Sequence, residues 1–162
     1  MNKRRLVIVT TVGTALLIFA GWFGIARLIG GTEEPTIVLR PNDATVVAKG
    51  KSIYAAHCAS CHGDTLQGEP NWQQRGDDGM LPAPPHDRSG HTWHHPDEML
   101  FEITKYGPAA LLQDPNYRSA MPVYDGVLTD AEIVAALSYI KSEWPKEIQT
   151  RHDALNKKVS EK

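Results

Sequence analysis

Cys58-Ala59-Ser60-Cys61-His62 constrains this chain more than any other stretch in it. Two thiols one helical turn apart, followed at once by an imidazole, form the C-x-x-C-H signature of c-type haem attachment. Each thiol can form a thioether with one porphyrin vinyl group, and the adjacent histidine then stands under the iron as its proximal ligand. Other uses of the pair fit less well. These are the only 2 cysteines in the chain, so a zinc site would need histidines to complete it. A thioredoxin-like redox pair needs a βαβ context, which the sequence lacks. A disulfide here would close too short a loop to stabilise much. We therefore expect one covalent haem c, attached at Cys58 and Cys61, with His62 on the iron.

The motif also bears on the compartment, and so does the N-terminus. Met1-Asn2-Lys3-Arg4-Arg5 is a basic leader at 1–5. The 21 residues from Leu6 to Ala26 carry no charge and are mostly aliphatic. At about 1.5 Å per residue such a run spans roughly 30 Å, the thickness of a bilayer core. We expect a single transmembrane anchor at 6–29, with the leader in the cytoplasm and the remainder outside by the positive-inside rule. Trp22 and Arg27 suit the outer interface. A cleaved signal peptide is the competing reading. Its apolar region is normally only about 7–15 residues and ends in a small-x-small site, which is not evident here.

Beyond the anchor, residues 31–162 hold 13 basic and 19 acidic side chains, a net charge of −6. That balance argues against a nucleic-acid partner, which needs a basic footprint. A linker is expected at 30–41, with Ile37-Val38-Leu39 able to pack back on the domain that follows. The domain itself is expected at 42–145 and is all-α. Asn42 or Asp43 caps a first helix from Ala44 to about His57. Gly50 inside it implies a close neighbour, since an interior glycine costs about 1 kcal/mol relative to alanine. Gly63 to Pro96 is a long Gly- and Pro-rich loop, long enough to wrap a ligand. Pro96-Asp97-Glu98 opens a second helix with Leu100, Ile103 and Tyr106 on its apolar face and Gly107 at its end. Residues 107–128 are again loop. Thr129-Asp130-Ala131-Glu132 is a capping box for a last helix with Ile133, Leu137, Ile140 and Trp144 on one face, stopped by Pro145. The tail at 146–162 is polar and mixed in charge, a loose helix or disordered.

A second axial ligand must come from the far side. Of the 4 methionines, Met1 precedes the apolar run and Met99 lies in the first turn of the second helix. Met80 lies 18 residues after His62 and Met121 lies 59 after it, followed by Pro122 and just ahead of the last helix. Element position favours Met121, with Met80 or a histidine as alternatives. A thioether favours ferrous iron and raises the potential relative to a second histidine. His86, His91, His94 and His95 crowd one loop. They match no closed metal site, so hydrogen-bonded loop histidines are expected rather than a second copper or zinc.

Gly50-x3-Tyr54-x3-Cys58-x2-Cys61-His62, Met121-Pro122 and Leu137-x-x-Ile140 together resemble the class I cytochromes c, and in particular the small membrane-anchored monohaem cytochromes of bacteria. The resemblance covers about residues 42–145. It implies a class I cytochrome c-like fold of three main helices and long loops around one haem. The first and last helices would cross near Gly50, with an apolar or aromatic side chain of the last helix against it. A backbone carbonyl in the proline-rich 81–85 segment would accept the Nδ1–H of His62. The function implied is one-electron transport between redox partner proteins in or at the membrane, with no catalytic residues and no small-molecule substrate. The alternatives are an accessory haem subunit of a larger oxidase or dehydrogenase complex, or a sensor or peroxidase-like protein with an open distal site. With the anchor, the location expected is the cytoplasmic (inner) membrane, with the domain in the periplasm or on the outside face.

Overall fold

The computed structural model describes residues 36–162, apart from 113 and 115. The leader at 1–5 and the apolar run at 6–29 lie outside the described residues. Among the described residues there is no strand, and no helix is long and apolar enough to cross a membrane.

Helix α1 runs Ala44–His57, and the Asp43 carboxylate caps it by accepting from the backbone N–H groups of Thr45 and Val46. A one-turn helix α2, Ala59–His62, follows at once. After the long loop and a short 3-10 turn at Thr92–His94 come α3, Asp97–Tyr106, and α4, Pro108–Leu112. Helix α5, Asp130–Ser142, begins with the expected capping box, in which Thr129 and Glu132 satisfy each other's backbone N–H groups. Helix α6, Lys146–Ser160, closes the chain.

The core lies where α1, α3 and α5 meet, and Ile133, Tyr54, Ile140 and Trp144 are almost wholly buried there. Gly50 is the crossing point of α1 and α5. A Cβ at that position would overlap the Ala135 backbone carbonyl and touch the Tyr139 Cβ. Only the missing side chain lets the two backbones come so close, and the aromatic expected beside it is Tyr139.

Three local expectations change. Pro96 caps α3 rather than occupying its first turn. The inner stripe of α3 is Asp97, Leu100 and Phe101, while Tyr106 faces outward. An aspartate begins that stripe, so apolar spacing alone selects the wrong neighbours. The 107–128 loop also contains α4, in which Pro108 supplies the first helical residue.

The tail forms a full 15-residue helix, a fourth long element. Its buried stripe is Ile148, Gln149 and His152, with Leu155 and Asn156 partly covered. Because polar residues dominate that stripe, hydrophobic periodicity does not reveal it. Polar bonds hold it instead. His152 Nε2 donates to the His95 carbonyl at 2.8 Å, and Asn156 Nδ2 donates to Asp97 Oδ1 at 2.9 Å. Asp97 Oδ2 accepts the Leu39 N–H at 2.8 Å, and the Lys141 ammonium lies 2.6 Å from Asp153 and 3.9 Å from Asp97. The same knot seats Leu39 in the core, while Val38 faces solvent.

Candidate haem site

The proximal half of the site grows out of the end of α1. Cys58 leaves helical geometry, and its carbonyl starts the next turn by accepting from Cys61 N and His62 N at 3.1 and 2.9 Å. Gly63, at φ 80°, ends that turn in a backbone region that favours glycine. The buried Tyr54 hydroxyl donates to the Gly63 carbonyl at 2.8 Å, and Gly68 N donates to the His62 carbonyl at 2.8 Å. The His62 carbonyl and the one that follows it are thereby both held.

Its ring is held as well. His62 Nδ1 lies 2.8 Å from the Pro84 carbonyl, inside the 81–85 segment expected to supply that acceptor. A carbonyl can only accept, so the proton sits on Nδ1 and the Nε2 lone pair is left for a metal. Burial pushes the His62 pKa down, which keeps the imidazole in the neutral form that a metal needs.

The loop that carries Pro84 is built to stay in place. Leu66 is buried in the left-handed region, at φ 65°, and its carbonyl accepts both His86 N and Asp87 N. Glu69 and Ala83 pair across the loop at 2.8 Å through their backbones, and the Glu69 carboxylate accepts Ala83 N at 2.6 Å. The indole of Trp144 donates to the His86 carbonyl at 2.7 Å. The His86 ring stacks on the His62 ring with centroids 4.0 Å apart. Burial, and then its histidine neighbours, push the His86 pKa well below the ordinary value. Neither the His86 stack nor the Trp144 bond was legible in the sequence, because no local pattern marks a partner 24 or 58 residues away.

Both thiols are free, Cys58 half-buried and Cys61 exposed. Burial first, and the neighbouring Cys61 second, push the Cys58 thiol up to about 11.

Met121 sits half-exposed in an irregular segment between α4 and α5. Its N–H donates to the Ser119 hydroxyl at 3.1 Å. Three residues on, the Tyr124 hydroxyl donates to the His57 carbonyl at 2.5 Å. This bond brings the Met121 segment to the start of the cysteine turn. Met80 lies in a tight turn where its carbonyl accepts Gly76 N at 2.9 Å, and Met99 lies in the first turn of α3.

The other loop histidines serve as packing surfaces. His91 stacks on Trp72 at 5.3 Å, and His94 stacks on Trp93 at 3.7 Å. Among the described residues no group of three His, Cys, Asp or Glu is placed to hold a metal ion. The donor set suits a haem: two free thiols within one helical turn and an imidazole with Nε2 available. One further observation agrees. Trp93 Nε1 is buried without a partner, alone in this among the described side-chain nitrogens and oxygens, and a propionate oxygen is the kind of acceptor it lacks.

The family model for cytochrome c matches residues 47–144, more than half of the chain. A relative from Azospirillum sp. (strain B510), the Cbb3-type cytochrome c oxidase subunit CcoP, is 35% identical over 98 residues. That match covers 60% of this chain but only 29% of the relative, so the chain spans under a third of that protein's length. No solved structure gives a significant match. The cofactor implied is a covalently bound haem c with its iron, and the role is haem-based electron transfer. The C-x-x-C-H turn, the Gly50 crossing and the family match lead to one conclusion: this chain belongs to the cytochrome c family.

Proposed function

We propose that this protein is a membrane-tethered one-electron carrier, with haem c bound through Cys58 and Cys61 and with His62 and Met121 as axial ligands. The observation that carries the reading is the His62 ring, fixed at Nδ1 by the Pro84 carbonyl and left open at Nε2 within the two-thiol turn. When bound, the haem supplies a ferric/ferrous couple that takes up and returns one electron. The chain's own residues keep that exchange rapid by moving little. Tyr54, Pro84 and Trp144 hold the proximal loop through three hydrogen bonds. Met121 contributes a soft, neutral donor that favours the reduced state. No residue is assigned a catalytic role, and no small-molecule substrate is invoked.

The anchor expected at 6–29 supports a single-pass protein with its domain outside the cytoplasmic membrane, and redox proteins in or at the same membrane as its partners. The similarity to an oxidase subunit favours one refinement, in which the chain is an accessory haem subunit of a membrane oxidase rather than a free shuttle. Redox titration of the purified holo-protein, with ferric and ferrous spectra, tests the ligand set. A low-spin ferric spectrum with a sulfur-to-iron charge-transfer band is expected. A high-spin spectrum without that band rejects Met121 and turns the reading towards an open distal site. Carbonate extraction of membranes tests the tether, because a protein released into the supernatant is not anchored. Gentle detergent solubilisation separates shuttle from subunit, the first running as monomer and the second with the oxidase.

A further inference from the structure

We propose that His86 is a positioning residue for the axial imidazole: its ring stacks on His62 and sets the plane in which His62 presents Nε2. The proposal rests on the reading of His62 as an iron ligand and deepens it.

The two rings lie with centroids 4.0 Å apart and planes 23° apart, a face-to-face contact along which neither ring can tilt without separating from the other. The bond from Nδ1 to Pro84 defines which nitrogen faces outward. A single hydrogen bond leaves the ring free to rock about it. The stacked imidazole removes that freedom.

For this to work, His86 must itself be immobile. Its N–H donates to the Leu66 carbonyl at 2.8 Å, and its carbonyl accepts from Trp144 Nε1 at 2.7 Å. Its Nδ1 lies 2.8 Å from the Thr92 hydroxyl, which is buried and has the Pro85 carbonyl 3.4 Å away. The Thr92 proton has that carbonyl to go to, so its oxygen accepts the Nδ1–H of His86. Tyr54 closes the remaining side edge-on, at 6.5 Å and 72°. An aliphatic side chain could fill the same volume, but it would have no plane and no polar atom to lock one.

This arrangement has a chemical consequence. The orientation of an axial imidazole determines how unpaired spin is distributed around a ferric low-spin haem, so proton NMR of the haem methyl groups reads it directly. His86→Leu, His86→Phe and Thr92→Val test the proposal in the holo-protein. His86→Leu is expected to keep covalent haem and low-spin optical bands while reordering the methyl shifts and moving the midpoint potential. His86→Phe, which restores a stacking ring, is expected to return the methyl pattern towards wild type. Thr92→Val is expected to give a broadened or shifted pattern. A wild-type methyl pattern in His86→Leu overturns the proposal. If His86→Leu fails to mature, Thr92→Val decides alone: an altered pattern supports the proposal and a wild-type pattern rejects it. Failure of the underlying reading looks different, because His62→Ala would then retain the wild-type low-spin spectrum.

Discussion

The His62 side and the Met121 side of the proposed haem site are held in different ways. The proximal side is complete in the polypeptide. His62 is fixed through its carbonyl by Gly68, through Nδ1 by Pro84 and across its face by His86, and Tyr54 holds the next carbonyl, that of Gly63. The Met121 segment, proposed for the distal side, is held more locally among the described residues. Met121 is half-exposed, and the bonds described for residues 114–121 are mostly local, such as Met121 N to Ser119 and Asn116 N to Asp114. Tyr124 then docks on the His57 carbonyl. The contrast has a physical reason. The C-x-x-C-H residues are adjacent and share one turn of backbone, whereas the Met121 segment meets that turn only through tertiary contacts such as Tyr124 to His57.

Removing one ligand from each side gives the sharpest break in that contrast. His62→Ala is expected to abolish low-spin ferric haem altogether. Met121→Ala is expected to keep covalent haem and proximal ligation, lose the charge-transfer band and lower the potential. Equal loss of ligation in both variants, read by ferric optical and EPR spectra, would place the two sides on the same footing.

The next effect lies in the frame that carries both sides. Gly50→Ala drives a methyl group into the Ala135 carbonyl, so α1 and α5 must separate. Overpacking of this kind costs about 1–3 kcal/mol, and the obstacle here is rigid backbone, which points to the upper end. Denaturant unfolding measures it, and an unchanged midpoint would mean that the crossing is slack.

Trp144→Phe keeps the buried ring but removes the donor to the His86 carbonyl. A loss of about 1 kcal/mol is expected, with the added signature of faster amide exchange in the 83–90 loop. Stability loss without loop exchange would confine Trp144 to the core.

The smallest effect tests the polar knot around α6. Burial, then the Lys141 charge, lowers the His152 pKa against the pull of the His95 carbonyl, Asp97 and Asp153. The folded state therefore resists a proton that the unfolded chain accepts. The His152 contribution is whole above pH of about 6.5 and declines as pH falls below that value towards the lowered folded pKa. His152→Gln should flatten the loss of urea stability between neutral and mildly acid pH. Identical slopes in the two proteins would show that other groups dominate.

What was legible beforehand is what local chemistry dictates. Asp43 and Thr129 announce helix starts because their side chains reach backbone N–H groups two or three residues on. Gly107 ends α3 at φ 82°, where a side chain is strained. The thiol–thiol–imidazole turn names its cofactor because all three groups lie on one turn of chain. Helix α6 was legible only as a loose helix or disorder, and Leu39 only as part of a stretch able to pack back, because polar atoms hold both to partners far away in sequence. The Leu39–Asp97 bond spans 58 residues and the His152–His95 bond spans 57. Haem chemistry is therefore written in adjacent residues, which need only one turn of backbone to meet. The plane of the axial imidazole is set by His86, Thr92 and Trp144, which meet only after the loop has folded back onto α5 and the residues that follow it.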